Sequence, residues 1–204
     1  EPFKNYCRKA VSGRDHFSCR FTVCARDAKE AADILATCSQ EKRSRDIITG
    51  TAGKRPRVAF LFSGQGSQVP EMGKVLYETH REFRDTIDDC DRIASPELGR
   101  SLRDVMFDDD AATLNRTIFT QPAIFAMGAA LANLWQSFGI RPTAVVGHSI
   151  GEYAAAYTAG VITLEQGMEI VLERARLADS ITTPGRMAAV LTDEKTALKF
   201  LAGT

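Results

Sequence analysis

Apolar and polar residues alternate first in HFSCRFTVCARD, where Phe17, Cys19, Phe21 and Val23 face polar neighbours. A period of two predicts a strand, and the AKEAADILATC that follows, rich in alanine and helix formers, predicts a helix. Residues 39–57 are charged, carry two glycines and a proline, and lack an amphipathic period. They read as a connector in which 46–49 could form a short strand. The continuous apolar run at 58–62 is of the kind that becomes a buried parallel strand, and a glycine-bearing loop, SGQGSQ, follows at once. Across 71–94, Met72, Val75, Leu76, Phe83, Ile87, Cys90 and Ile93 recur at helical spacing among many charges, which predicts one or two surface helices.

The clearest helical stripe is Ile124, Met127, Leu131, Leu134, Trp135 and Phe138. It predicts a helix over 121–139, ended by Gly139 and kept from resuming by Pro142. Residues 144–146 then suggest a short strand, followed by a tight turn and an alanine-rich helix that stops near Gly160. Thr163 and Gln166 stand at capping-box spacing, and Leu164, Met168, Val171, Leu172 and Ala175 line one face of the helix they open. A strand at 187–191 and a last helix complete the chain. Strands alternating with helices imply an α/β fold with a largely parallel sheet, and no internal repeat is visible.

Composition narrows the function classes. The 204 residues are 44% hydrophobic and 25% charged with no net charge, so neither a disordered tail nor a nucleic-acid partner is indicated. The five cysteines, Cys7, Cys19, Cys24, Cys38 and Cys90, lack the close pairs of a zinc or redox site and read mostly as reduced structural thiols. The N-terminus has no apolar signal core, and no uninterrupted apolar run approaches a bilayer span. A cytoplasmic protein without a membrane partner is expected, and a chain starting at Glu1 suggests a piece of something longer.

The chemistry concentrates in VVGHSIGEY. Gly-x-Ser-x-Gly between a strand and a helix is the pattern of an elbow that displays a serine hydroxyl for covalent chemistry. Ser149 is the candidate nucleophile. Small residues at Gly147 and Gly151 relieve crowding in the turn, and the Ile150 amide at the helix start can face an oxyanion. An ordinary turn would share the motif, but the strand before it and the helix after it are what the mechanism demands.

GHSIGEY, with SGQGSQ upstream and Arg174 in VLER downstream, resembles the malonyl-CoA:acyl-carrier-protein transacylase family, including the acyltransferase domains of polyketide and fatty acid synthases. The resemblance runs from about residue 57 to the C-terminus. It implies an acyl group carried on Ser149 and an oxyanion hole made by the backbone amides of Gln65 and Ile150. It also implies that Arg174 binds the free carboxylate of the extender unit, and a guanidinium suits that task because it matches a planar carboxylate in two-pronged fashion. Gln121 in TQPAIFA matches a family glutamine near the nucleophile, though the position beside Pro122 would equally suit the start of a helix. The elbow directs the His148 side chain away from the hydroxyl, so His148 reads as a packing or hydrogen-bonding residue beside the site and not as the base.

The implied fold is an α/β-hydrolase-like parallel sheet with flanking helices over 56–184. A small α+β linker subdomain precedes it over 1–55, and a ferredoxin-like subdomain begins at 185–204. The implied reaction moves a malonyl-type unit from CoA to the phosphopantetheine thiol of an acyl carrier protein, with no metal and no cofactor held by these residues. An adjacent ketosynthase domain is the other implied partner. Neither His16 nor His80 fits the position of the family's catalytic histidine, so the 204 residues alone are expected to turn over poorly or not at all. A polyketide synthase is the preferred source; a fatty acid synthase, a serine esterase or thioesterase, and a noncatalytic docking piece remain alternatives. Isoleucine after the serine leans towards malonyl over methylmalonyl units.

Overall fold

A computed structural model describes residues 2–38, 46–53, 56–108, 110–181 and 191–201. The chain divides into two units, 1–57 and 58–204.

In the first unit α1 (Phe3–Ser12) precedes β1 (Cys19–Val23), α2 (Ala28–Cys38) and β2 (Ile47–Thr51). The strands pair antiparallel, from Cys19 opposite Thr51 to Val23 opposite Ile47. The alternation in β1 therefore marks a strand, and the run at 46–49 matures into its partner. Phe21 is nonetheless exposed, as is Ile48. Helix α1 was passed over although Phe3, Tyr6, Cys7, Ala10 and Val11 recur at helical spacing, and none of its residues is buried.

The second unit begins with β3 (Ala59–Phe62), α3 (Lys74–Thr79), α4 (Arg81–Leu98), α5 (Leu102–Phe107), α6 (Ala111–Leu114) and α7 (Thr117–Ser137). It continues with β4 (Ala144–Gly147), α8 (Gly151–Thr158), α9 (Leu164–Asp179) and α10 (Glu194–Leu201). Strands β3 and β4 pair in parallel, Ala59 with Ala144 through Phe62 with Gly147. The expectation of a buried parallel strand needs correction: Leu61 is 80% exposed and Val146 56% exposed. Only alternate residues of each strand face the core, where Phe62 packs beside Gly128 of α7. Of the strand expected at 187–191, residues 187–190 lie outside the described residues, and Leu191 is exposed with no strand assignment.

Helix α7 sits at the centre, packed by α4, α8 and α9. Two expectations for it are corrected. It starts at Thr117 instead of Gln121, and Pro122 lies inside it. Thr and Ile are modest helix formers, but here burial of Phe119 and Thr120 overrides propensity. The Thr120 hydroxyl also donates to the carbonyls of Leu114 and Arg116, at 2.6 and 3.0 Å, securing the helix entry. Nor is one stripe buried: Ala123, Ile124, Phe125, Ala126, Ala129 and Ala130 are buried nearly all round, while Trp135 and Phe138 are exposed. Among the described residues α7 is also the one helix long and apolar enough to cross a membrane, yet its packing is that of a core helix.

Helix α4 is likewise more than a surface element. It buries Phe83, Ile87, Cys90 and Ala94. A fully buried Phe or Ile contributes about 1.5–3 kcal/mol relative to exposure. Burial also pushes the Cys90 thiol pKa strongly up, so this cysteine is inert. Cys7, Cys19 and Cys24 are exposed free thiols, contrary to the expectation of structural ones. His80 falls between α3 and α4, not on a helix, with Nδ1 2.8 Å from the Thr79 hydroxyl and its ring edge-on to Phe138.

Short helices α5 and α6 are fixed by their caps. Ser101 Oγ accepts from the Asp104 amide at 3.1 Å, and Asp110 Oδ1 accepts from the Thr113 amide at 2.8 Å. The capping box of α9 forms as its sequence requires: Gln166 N–H donates to Thr163 Oγ1, and Thr163 N–H donates to Gln166 Oε1.

Candidate active site

The turn after β4 carries its strain at one residue. Ser149 has φ of 53°, the left-handed region that L side chains avoid. A non-glycine residue held there is costly, and such outliers gather at functional sites. The surroundings hold the turn. His148 N–H donates to the Phe62 carbonyl at 3.0 Å, tying the elbow to the end of β3. Gly147 lies against the backbone of Glu152, and Gly151 lies against the carbonyls of Phe62 and Ser63. Any Cβ at either glycine would collide with main chain, so both are sterically required.

Strand β3 ends beside β4, which brings the loop 63–68 against the elbow. A Cβ on Gly64 would come within 2.6 Å of His148 Nδ1, so the imidazole packs on the loop backbone. That contact explains why the ring belongs to the loop and not to the serine. Gln65 leads into Gly66, which has φ of 107°. Among the described residues the backbone N–H groups of Gln65 and Ile150 have no acceptor. For Ile150 this is the ordinary state of a helix start, where the first amides lack intrahelical partners. Its side chain is fully buried and anchors α8 in the core.

Arg174 reaches the serine from α9. Its Nη2 donates to Ser149 Oγ at 3.4 Å, across 25 residues of sequence. The helix buries Val171, Leu172 and Ala175 against the core, which leaves the half-buried Arg174 turned towards the elbow. The neighbouring Arg176 instead binds Glu173 with both prongs, at 2.6 and 2.7 Å. That pair holds the Glu173 carboxyl below its usual range. Of the two arginines, only Arg174 is offered to the site.

Gln121 is 3% exposed, and its Oε1 is a buried acceptor with no partner. No hydrogen bond joins it to Ser149 among the described residues. A buried orphan acceptor costs about 1–3 kcal/mol, a burden that asks for a functional reason. Sequence reasoning passed over Gln68, Asn115 and Thr117. Gln65 Nε2 donates to Thr117 Oγ1 at 3.5 Å and Gln68 Nε2 to Asn115 Oδ1 at 2.6 Å, joining the loop to the start of α7. Gln68 was in view as the last letter of GQGSQ, but its partner lies 47 residues away.

An open apolar groove of about 510 Å³ runs between β3 and α7, past Phe62, Met127 and Trp135. Neither Ser149 nor Arg174 lines it.

A strained serine on a strand-to-helix elbow, two amides without acceptors and a guanidinium on the hydroxyl form an arrangement that can support acyl chemistry and attract an anionic group. The chain belongs to the acyl transferase domain family, whose profile matches residues 59–201. Its relatives are polyketide synthases, and its structural neighbours are acyltransferase domains of such synthases and malonyl-CoA:acyl-carrier-protein transacylases. The PKS-NRPS hybrid synthetase ATPKS of Aspergillus niger is 38% identical over 87% of this chain, which spans 10% of that synthetase. The acyltransferase domain from the second module of the salinomycin polyketide synthase aligns with a TM-score of 0.71 and 34% identity. That match covers 87% of this chain and 41% of the solved one. The acyltransferase domain of SpnD, solved in complex with 2-(pent-4-yn-1-yl)malonyl, aligns at 0.73 and 32% identity with the same coverages, 87% and 41%. The α/β fold is therefore that of acyltransferase domains.

Proposed function

We propose that this chain is part of a polyketide synthase acyltransferase that moves a malonyl-type unit from CoA to a carrier-protein phosphopantetheine thiol. Ser149 Oγ attacks the thioester carbonyl as a base takes its proton; the C–S bond breaks and CoA leaves as the thiol. The phosphopantetheine sulfur then attacks the serine ester, and Ser149 regains its proton. The amides of Gln65 and Ile150 receive the oxyanion of each tetrahedral intermediate, where one donor is worth about 10²–10³ in rate. His148 supports the loop that carries Gln65, and the buried Gln121 carbonyl accepts a donor arriving at the site. None of His16, His80 and His148 hydrogen-bonds to Ser149 among the described residues, so none of the three is assigned as the base. In this reading 56–184 form an α/β-hydrolase-like subdomain, 1–55 a linker subdomain next to a ketosynthase, and 185–204 the entry to a ferredoxin-like subdomain.

The observation that carries the reading is the 3.4 Å contact of Arg174 with Ser149. A fixed fork of donors beside the nucleophile suits a carboxylate on the acyl group, and the contact with the hydroxyl is exchanged for that carboxylate when substrate binds. An esterase or thioesterase would need no such cation. In the full parent synthase, Arg174→Ala lowers malonyl loading by about 10²-fold or more, since each charge-assisted hydrogen bond is worth about 1.5–3 kcal/mol. Acetyl loading is spared or gained. Unchanged preference for malonyl in this variant would favour the hydrolase reading.

A further inference from the structure

We infer that Gln68 and Asn115 form a side-chain amide clamp on the Gln65–Gly66 peptide that, with the Ser67 hydroxyl on the Gly64 carbonyl, positions the loop carrying the Gln65 N–H; the inference rests on the reading of Gln65 as an oxyanion donor. Gln65 stands between two glycines, each required for a separate reason. Gly64 has no room for a Cβ beneath His148, and Gly66 has φ of 107°. Glycine on both sides gives the backbone more rotational freedom than any other residues would. A donor useful to an oxyanion must instead be preorganised.

The Gln68 side chain restores that order by using both ends of its amide. Its Oε1 accepts from Gly66 N–H at 2.8 Å, which fixes the peptide on the C-terminal side of Gln65; the Gln65 N–H lies in the preceding peptide, whose Gly64 carbonyl accepts from Ser67 Oγ at 3.0 Å. Its Nε2 donates to Asn115 Oδ1 at 2.6 Å, and Asn115 is the C-cap of α6, two residues before α7 begins. The loop peptide is thereby referred to the entry of the most deeply buried helix in the unit. Two further ties hold the same loop, and one of them falls on the Gly64 carbonyl, which shares its peptide with the Gln65 N–H. Gln65 Nε2 donates to Thr117 Oγ1 at 3.5 Å, and the Ser63 hydroxyl donates to Ser67 Oγ at 3.0 Å while Ser67 Oγ donates to the Gly64 carbonyl, also at 3.0 Å. Asn115 is exposed and Gln68 half-buried, so water competes for these bonds. Their contribution is to alignment more than to stability. Gln68 and Asn115 are positioning residues, acting on the oxyanion through the loop that carries the Gln65 N–H.

The test uses the complete parent synthase with malonyl-CoA, read by single-turnover acylation and by amide hydrogen exchange at Gly66. Gln68→Leu and Asn115→Ala lower the acylation rate by about 10-fold, a part of what losing a whole donor costs, with KM changed less than about twofold. Asn115→Asp, which still offers an acceptor to Gln68 Nε2, keeps most of the rate. Protection of the Gly66 amide falls in the first two variants and persists in the third. An unchanged rate in Gln68→Leu, an effect on KM alone, or equal losses in Asn115→Asp and Asn115→Ala would overturn the positioning role. Unaltered Gly66 exchange in Gln68→Leu would overturn the clamp itself. A wild-type enzyme with a protected Gly66 amide and no acylation of Ser149 would instead overturn the functional reading, and the positioning role with it.

Discussion

Replacing Ser149 by glycine or by alanine separates backbone strain from chemistry. Both variants lose the hydroxyl and the Arg174 contact, so their difference reports only the conformation at φ of 53°. Alanine keeps a Cβ in the left-handed region, where an L residue costs about 1–2 kcal/mol. Glycine removes that penalty but loses about 0.5–1 kcal/mol more conformational freedom on folding. The balance favours Ser149→Gly over Ser149→Ala by about 0–1.5 kcal/mol, about 0.75 kcal/mol at mid-range. In a domain of this size 1 kcal/mol moves the midpoint by about 2–4 °C, so at mid-range the glycine variant melts about 1.5–3 °C higher. Calorimetric unfolding of the two purified chains in one buffer measures this. A glycine variant that melts at or below the alanine variant would refute the strain at Ser149.

Gly151→Ala places a methyl group against the carbonyls of Phe62 and Ser63 and destabilises by about 1–3 kcal/mol or more in urea unfolding, because main chain cannot move aside cheaply. Gln121→Leu removes the orphaned carbonyl and leaves stability unchanged or raised, while acylation in the parent synthase falls; a loss of stability would mean that Oε1 is satisfied in solution. The Thr113 amide holds the Asp110 carboxyl below the usual aspartate range. Its stabilisation is complete above about pH 4 and is lost as pH falls through the lowered value, so the stability advantage of wild type over Asp110→Asn shrinks on acidification below about pH 4. Unfolding midpoints across that range check the sign.

Local chemistry was the most legible part of the sequence. GHSIG dictates a strand, a strained residue and a helix within a few positions, and the Thr163 and Gln166 capping box is contained in four residues. Arg174 needed the resemblance, since Arg176 two residues on is equally basic and is taken up by Glu173. Periodicity failed where tertiary packing surrounds an element. Helix α7 has no solvent face along much of its length, so the stripe that predicted its orientation was only part of its buried surface. The expected burial of β3 failed for the opposite reason, since one side of the two-stranded sheet is open among the described residues. Helices α5 and α6 were missed although Ser101 and Asp110 stood three positions before the amides they cap. The Gln68 to Asn115 link was not legible at all, because no local pattern connects residues 47 apart.

The most direct test of the account is mass spectrometry of the complete parent synthase, quenched during turnover with malonyl-CoA. The account predicts a malonyl ester on the peptide carrying Ser149, absent in Ser149→Ala and discharged when a phosphopantetheine-bearing carrier protein is added. A malonyl label that survives Ser149→Ala, or a Ser149 that stays unmodified while malonyl transfer proceeds, would contradict it.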